Sequence, residues 1–204
     1  MKKVNKRGLL IVLSSPSGGG KTTVYKELLK NHQEYFYSVS ATTRPKRTGE
    51  SDGKSYHFLD RKMFQQQIDE GLFAEWAEVY GNYYGTYRDF IDDALEDGRI
   101  VLMDIDTQGA SNLADMYKEA VTIFILPPSL EILKERLLNR GTDDSEIREE
   151  RLSKAKNEIA QWRNYKYIVV NNRLEEVIRQ VEAILIAETL KTSTYSADYF
   201  NKIL

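Results

Sequence analysis

Leu9-Leu10-Ile11-Val12-Leu13-Ser14-Ser15-Pro16-Ser17-Gly18-Gly19-Gly20-Lys21-Thr22-Thr23-Val24 is the stretch whose reading decides the fold class. Leu9 to Leu13 form an unbroken apolar run, which suits a strand buried on both faces of a sheet. After Gly20 the apolar positions Val24, Leu28 and Leu29 follow helical spacing. A Gly-rich turn between a buried strand and a Gly-Lys-Thr helix start is the context of a phosphate loop. In such a loop backbone N–H groups turn inward and the helix N-terminus adds partial positive charge. A lysine reaches the β- and γ-phosphates, and a hydroxyl ligates Mg²⁺. Ser15, Pro16, Ser17, Gly18, Gly19, Gly20, Lys21, Thr22 and Thr23 are therefore the expected phosphate-binding run, with Lys21 as the cation and Thr22 as a metal ligand. A flexible Gly/Ser linker is the competing reading, but linkers rarely join a buried strand to such a helix start. Ser15 stands where the motif has its first glycine. Pro16 pushes its predecessor toward extended geometry, where serine carries no steric penalty.

Later in the chain Ile100–Met103 and Val121–Leu126 read as strands, the second stopped by Pro127 and Pro128. Ser129 is positioned to cap a helix carrying Leu130, Leu133 and Leu137 on one side. Ile147, Leu152, Ala155, Ile159 and Trp162 suggest a further helix, Tyr167–Val170 a strand, and Leu174, Val177, Ile178, Val181, Ile184 and Leu185 an amphipathic helix. Strands alternating with helices predict an α/β fold, a parallel sheet flanked by crossover helices. From about 36 to 90 the rhythm breaks. Strand-like pieces at Phe36–Ser40 and Glu75–Tyr80 surround one short helix near Arg61–Ile68. This stretch reads as an inserted, mixed α+β acceptor-binding subdomain. A polar interruption around Gly141, about 139–150, reads as a short lid. The whole is one domain, with its core at about 8–35 and 91–190.

The 204 residues suffice for one domain with a real core. Hydrophobic residues at 41% and charged residues at 29% are globular rather than disordered proportions. A net charge of -2 argues against binding nucleic acid or anionic membrane by bulk charge, so neither partner is expected. Any anion must be held by a local site. With no cysteine and two histidines, disulfides, thiolate chemistry and Cys- or His-based metal sites are not expected. The apolar run Gly8 to Leu13 is too short for a signal-peptide core, and a cytoplasmic protein is expected. A homo-oligomer is left open.

The insertion carries Ser38-Val39-Ser40-Ala41-Thr42-Thr43-Arg44-Pro45-Lys46-Arg47-Thr48-Gly49-Glu50. Two arginines three apart can grip a phosphate from two sides with fork geometry. Tyr56, Tyr83 and Tyr84 offer phenolic donors. A solvated basic loop is an equal reading of this segment taken alone.

Further motifs follow in order: Gly53-Lys54-Ser55-Tyr56-His57-Phe58, Glu75-Trp76-Ala77, Gly81-Asn82-Tyr83-Tyr84-Gly85-Thr86, Leu102-Met103-Asp104-Ile105-Asp106-Thr107-Gln108-Gly109, Pro127-Pro128-Ser129, Arg140-Gly141-Thr142 and Val170-Asn171. Together with the phosphate loop and the arginine segment, they closely resemble the guanylate kinase family from about Gly8 to Glu188. The resemblance implies ATP-dependent phosphorylation of GMP, and of dGMP, with Mg²⁺, a step of purine nucleotide metabolism. It further implies that Arg44, Arg47, Tyr56 and Tyr84 hold the GMP phosphate beside Glu50, and that Glu75 and Ser40 read guanine with Thr86 in support. Asp104 and Asp106 would face GMP and the hydrated Mg²⁺, Asp104 meeting the ion through water. Arg44, Arg136, Arg140 and Arg151 would neutralise the transferring phosphoryl group with Lys21, and Asn171 would lie near adenine.

A carboxylate at Glu75 suits guanine, because it accepts from N1–H and the N2 amine together. Adenine offers a lone pair at N1 and no amine at C2, and an unpaired buried charge is costly. Asp104 and Asp106, two apart at a strand end, are expected on one face. Ala41 stands where His or Ser is common in the family, and the proline of the arginine segment comes at 45 rather than one later. Trp76 and Trp162 are expected in the core, Arg148 on a solvated helix face, and His57 pointing away from Tyr56. A kinase for another nucleoside monophosphate and a non-catalytic, protein-binding relative are the alternatives. Glu75 speaks against the first, the intact phosphate loop against the second.

Overall fold

The elements along the chain are β1 (Leu9–Ser14), α1 (Lys21–Asn31), β2 (Phe36–Tyr37), β3 (Ala41–Thr42), β4 (His57–Phe58), α2 (Arg61–Asp69), β5 (Phe73–Val79), β6 (Asn82–Tyr87), α3 (Arg88–Glu96), β7 (Ile100–Asp104), α4 (Thr107–Met116), β8 (Val121–Leu126), α5 (Leu130–Leu138), α6 (Ser145–Ala160), β9 (Tyr167–Val170) and α7 (Leu174–Thr189). The computed structural model describes residues 6–79, 81–138, 145–196 and 200–201, the side chains of 145–148 and 150 excepted.

Every residue of β1 is buried, because it is the middle strand of a parallel sheet ordered β2-β7-β1-β8-β9. Leu9 to Leu13 pair with Ile100 to Asp104 on one side, and Ile11 to Ser14 pair with Val121 to Phe124 on the other. Alternate residues serve opposite faces. Leu9, Ile11 and Leu13 meet Val24 and Leu28 of α1 and Val177, Val181 and Leu185 of α7. Leu10 and Val12 meet Ile91, Ala94 and Leu95 of α3 and Ala110 and Leu113 of α4. An apolar run without alternation is what a strand covered on both sides requires. Each such side chain contributes roughly 1.5–3 kcal/mol of burial.

A second sheet, ordered β4-β3-β6-β5, is built within the insertion. β5 and β6 form its antiparallel hairpin, and β3 pairs antiparallel with β6 and parallel with β4. Phe64 of α2 stacks on Phe73 at 4.5 Å and on Tyr83 at 5.4 Å, giving this sheet a small core of its own.

Several expectations need correction. Phe36–Tyr37 pairs with β7 in the large sheet, so the chain leaves the core only after residue 37. The strand expected to continue to Ser40 stops at Tyr37. Trp76 and Trp162 are not in the core. Trp76 shares the side of the small sheet that packs on Phe64 but is 42% exposed and edge-on to Tyr83, and Trp162 is 40% exposed in a 3-10 turn beyond the end of α6. Leu133 and Leu137 are buried, whereas Leu130 opens the helix half-exposed. Asp104 and Asp106 do not share a strand face, because β7 ends at Asp104 and Asp106 is the N-cap of α4. Ser129 does cap α5, its Oγ accepting from the Ile132 N–H at 3.2 Å. His57 faces Tyr87 and Phe90, while Tyr56 faces Phe58 and Tyr84. Tyr80, residues 139–144 of the expected lid, Arg140 included, and the Arg148 side chain lie outside the described residues, while 145–150 of that lid belong to α6.

Candidate active site

The loop leaving β1 turns through two left-handed residues, Gly18 at φ 85° and Gly20 at φ 92°, before α1 begins at Lys21. At Gly20 a Cβ would fall 2.2 Å from Asn171 Nδ2, so a side chain is excluded by space as well as by φ. Asn171 follows β9, is buried, and donates from Nδ2 to the Gly19 carbonyl at 2.8 Å. Arg136 of α5 donates to the same carbonyl at 3.4 Å and to the Asn171 carbonyl at 3.2 Å. On the outer limb Gly19 N–H donates to the Pro16 carbonyl at 2.8 Å, and the Ser15 hydroxyl donates to that carbonyl at 3.1 Å. Ser15 thus adds a bond that glycine could not make. Ser17 N–H donates to Glu158 Oε2 of α6 at 3.0 Å.

Lys21 reaches across the strand ends to β7, where its ammonium lies 2.5 Å from Asp104 Oδ1 and donates to the Ile105 carbonyl. A cavity of about 250 Å³ is lined by the loop from Ser15 to Thr23, Asp106, Lys154 and Glu158. Arg151 is half-buried on α6, one turn before Lys154.

The insertion assembles a second cluster. Arg44 meets Glu50 Oε1 at 2.6 Å, and the other oxygen of Glu50 accepts from the Arg47 N–H at 2.8 Å. The Arg44 guanidinium and the Arg47 amide hold the Glu50 carboxyl below its usual range. Arg44 also lies over the Tyr56 ring, 5.4 Å from its centre, and Tyr56 meets Tyr84 edge-on at 6.0 Å. The Arg47 side chain is exposed.

Glu75 and Thr86 face each other across the β5–β6 hairpin. The Thr86 hydroxyl donates to Glu75 Oε1 at 2.8 Å, and Glu75 is only 6% exposed. Burial pushes its pKa from 4.5 up to about 7, with the Asp106 charge adding to the rise and Thr86 and Lys21 opposing it. The other oxygen, Oε2, lies against α4, where a Cβ on Gly109 would approach it to 2.8 Å. Asp106 accepts from the Gly109 N–H at 2.8 Å, which shapes that turn. Ser40 immediately precedes β3 and takes the His57 N–H on its carbonyl at 2.9 Å.

The structure therefore brings Arg44, Glu50, Tyr56 and Tyr84 into one cluster, Glu75 and Thr86 into another, and the phosphate loop, Lys21, Asp104 and Arg136 into a third. Glu158 and Gly109 were not singled out from the sequence. Helical spacing does put Glu158 on one side of α6 with Arg151 and Lys154, but the sequence holds no sign of which neighbour that side meets. Chemically, one end of the site offers a glycine-rich loop, the Lys21 ammonium and the start of α1, groups that can hold an anion. The other pairs a cationic, phenol-rich pocket with a buried carboxylate that needs a donor.

A family model described as guanylate kinase matches residues 7–188. The chain is 48% identical over 185 residues to a guanylate kinase of Carboxydothermus hydrogenoformans, covering 91% of each protein. It is 49% identical over 187 residues to one of Maricaulis maris, covering 91% of this chain and 86% of that protein. Among solved structures, a guanylate kinase from Anaplasma phagocytophilum superposes with a TM-score of 0.78 at 37% identity, over 95% of this chain and 93% of the other.

Proposed function

The chain belongs to the guanylate kinase family, whose reaction is phosphorylation of GMP by ATP, and on that premise we propose how its residues carry that reaction out. The acceptors are GMP and dGMP, the donor is ATP with Mg²⁺, and transfer is a direct in-line displacement. The observation that carries this reading is the Glu75 carboxylate, buried with Thr86 and with its second oxygen aimed at the first turn of α4. Guanine supplies two adjacent donors that such a group needs, and a nucleobase without them leaves it unpaired. Ser40 is assigned to the same base.

Arg44, Arg47, Tyr56 and Tyr84 are assigned to the acceptor phosphate, with Glu50 holding Arg44 in place. These groups read base and phosphate, so the ribose 2′-hydroxyl is not required and dGMP is accepted. The loop Ser15–Thr23 takes the ATP phosphates, and Lys21 turns to them from Asp104. Arg136, Arg140 and Arg151 neutralise charge on the moving phosphoryl group. Asn171, behind the loop, borders the adenine region.

The Thr22 hydroxyl directly, and the Asp104 carboxylate through water, would be the hard oxygen donors for Mg²⁺, which takes one or two protein groups beside phosphate oxygens and water. When bound, the ion neutralises charge on the β- and γ-phosphates. An acceptor phosphate oxygen attacks the γ-phosphorus, the bond to the β-bridging oxygen breaks, and ADP leaves with that electron pair. No side chain needs to remove a proton from an ionised phosphate. Holding donor and acceptor in line supplies roughly 7–11 kcal/mol of the barrier.

Coupled ADP-release measurements with ATP, Mg²⁺ and GMP, dGMP, AMP, CMP, UMP or dTMP test the reading. Turnover confined to GMP and dGMP is expected. Turnover of another monophosphate would overturn the Glu75 assignment, and none at all would overturn catalysis by this chain.

A further inference from the structure

The phosphate loop is held from behind by three elements. Gly18 lies against Leu133 and Leu137 of α5, where a Cβ would come within 3.0 and 3.1 Å of their side chains. The Gly19 carbonyl is held by Asn171 and Arg136. The third tie is Glu158 of α6, 8% exposed, bonded to the Ser17 N–H. This last contact is unexpected beside a polyphosphate site, because a carboxylate there repels the ligand.

Its geometry supplies the reason. The Pro16–Ser17 peptide is held at both ends: its carbonyl accepts from the Gly19 N–H and the Ser15 hydroxyl, and its N–H donates to Glu158. With both ends fixed, the plane of that peptide cannot rotate. Its orientation sets the direction in which the chain enters Gly18, the first left-handed residue of the loop. Ser17 N–H faces α6 and Gly19 N–H faces Pro16, which leaves the other amides of the loop to the nucleotide. The same helix packs Ala155 against Leu133 and Leu137 and lines the loop cavity with Lys154. Glu158 therefore joins the loop to the helix that brings basic side chains to it.

We infer that Glu158 is a positioning residue for ATP, its carboxylate orienting the Pro16–Ser17 peptide so that the rest of the loop meets the phosphates. This rests on the reading that the loop takes the ATP phosphates. The test uses the full chain as wild type, Glu158→Ala and Glu158→Gln. Thermal melts are recorded, and KM is measured for ATP at saturating GMP and for GMP at saturating ATP. The alanine variant is expected to raise KM for ATP about tenfold, equivalent to about 1.4 kcal/mol, with KM for GMP changed by less than about twofold. Glutamine, whose amide oxygen can accept the same N–H, is expected to restore most of the loss.

An unchanged KM for ATP, an equal rise in both KM values, or a glutamine variant as impaired as alanine would each overturn the inference. Should alanine fail to fold, Glu158→Asp takes its place with the same expected pattern, because it keeps the charge and withdraws the oxygen by one methylene. Lack of turnover by the wild type itself would overturn the functional reading first and the inference with it.

Discussion

On the proposed assignment of guanine to Glu75, burial that pushes this carboxyl up to about 7 leaves it half protonated near neutral pH, where it must be ionised to accept guanine's donors. Burial is the main cause, so the effect belongs to the empty site, and guanine's donors would favour the charged form on binding. The apparent KM for GMP should accordingly rise as the solution is acidified. Between pH 8 and pH 6 the ionised fraction falls about tenfold for such a group, and KM should rise by about that factor. KM for ATP should not follow it. The phosphate of GMP also titrates in this range, so Glu75→Gln provides the reference: it removes the part due to Glu75 and keeps the rest. A wild-type profile parallel to that of Glu75→Gln would show that this carboxyl does not govern acceptor binding.

At the scale of elements, α4 does two jobs from one turn. Asp106 caps it, and Gly109 gives room to Glu75 Oε2. Gly109→Ala would press a methyl group on the carboxylate at 2.8 Å and on Ile105 at 2.9 Å. Alanine favours a helix over glycine by about 1 kcal/mol, so the helix itself is not weakened. The expected result is a rise in KM for GMP of about tenfold to a hundredfold, the cost of displacing a binding group, with KM for ATP unchanged. Equal GMP kinetics in the variant would mean that Glu75 has slack to move. A different pair of elements, α1 and α7, is joined by His32, whose Nε2 lies 2.9 Å from Glu182 and Nδ1 3.2 Å from Glu34. Partial burial opposes protonation, yet the bonds to Glu182 and Glu34 together raise its pKa above 6.5. A raised folded-state pKa stabilises below the unfolded value, and the contribution is lost as pH rises through the folded one. Wild type should therefore melt above His32→Gln at pH 6, by no more than about 1 kcal/mol for such partly exposed pairs, and should lose that lead by pH 9. A lead that persists at pH 9 would assign it to the stacking of His32 on Tyr35 at 4.4 Å.

Across the whole molecule, the large sheet was the more legible part. β8 and β9 fall where the apolar runs begin and end, and α7 where the helical spacing does, because each buries a continuous surface. The small sheet was harder to read. β3 and β4 have two residues each, too few to display a period, and an irregularity between Phe73 and Glu75 breaks the alternation of β5. Helix α4 shows no clear apolar period, because its buried face is made of Thr107, Gly109, Ala110 and Leu113, of which only Leu113 is large. In the site, clustered cations and the Gly-Lys-Thr turn were visible as local patterns. Glu158 was not, since its partner lies 141 residues away and only the fold joins them.

That division between two sheets has a mechanical consequence. The chain passes from the large sheet to the small one between β2 and β3 and returns directly from β6 into α3. Acceptor groups on the small sheet and the phosphate loop on the large one must come together, and water must be kept from ATP while they do. The insertion is therefore expected to close on the core when both nucleotides are present. Small-angle scattering should give a smaller radius of gyration with GMP and a non-hydrolysable ATP analogue together than with either alone. An unchanged radius would mean that the two halves are already set at their working distance.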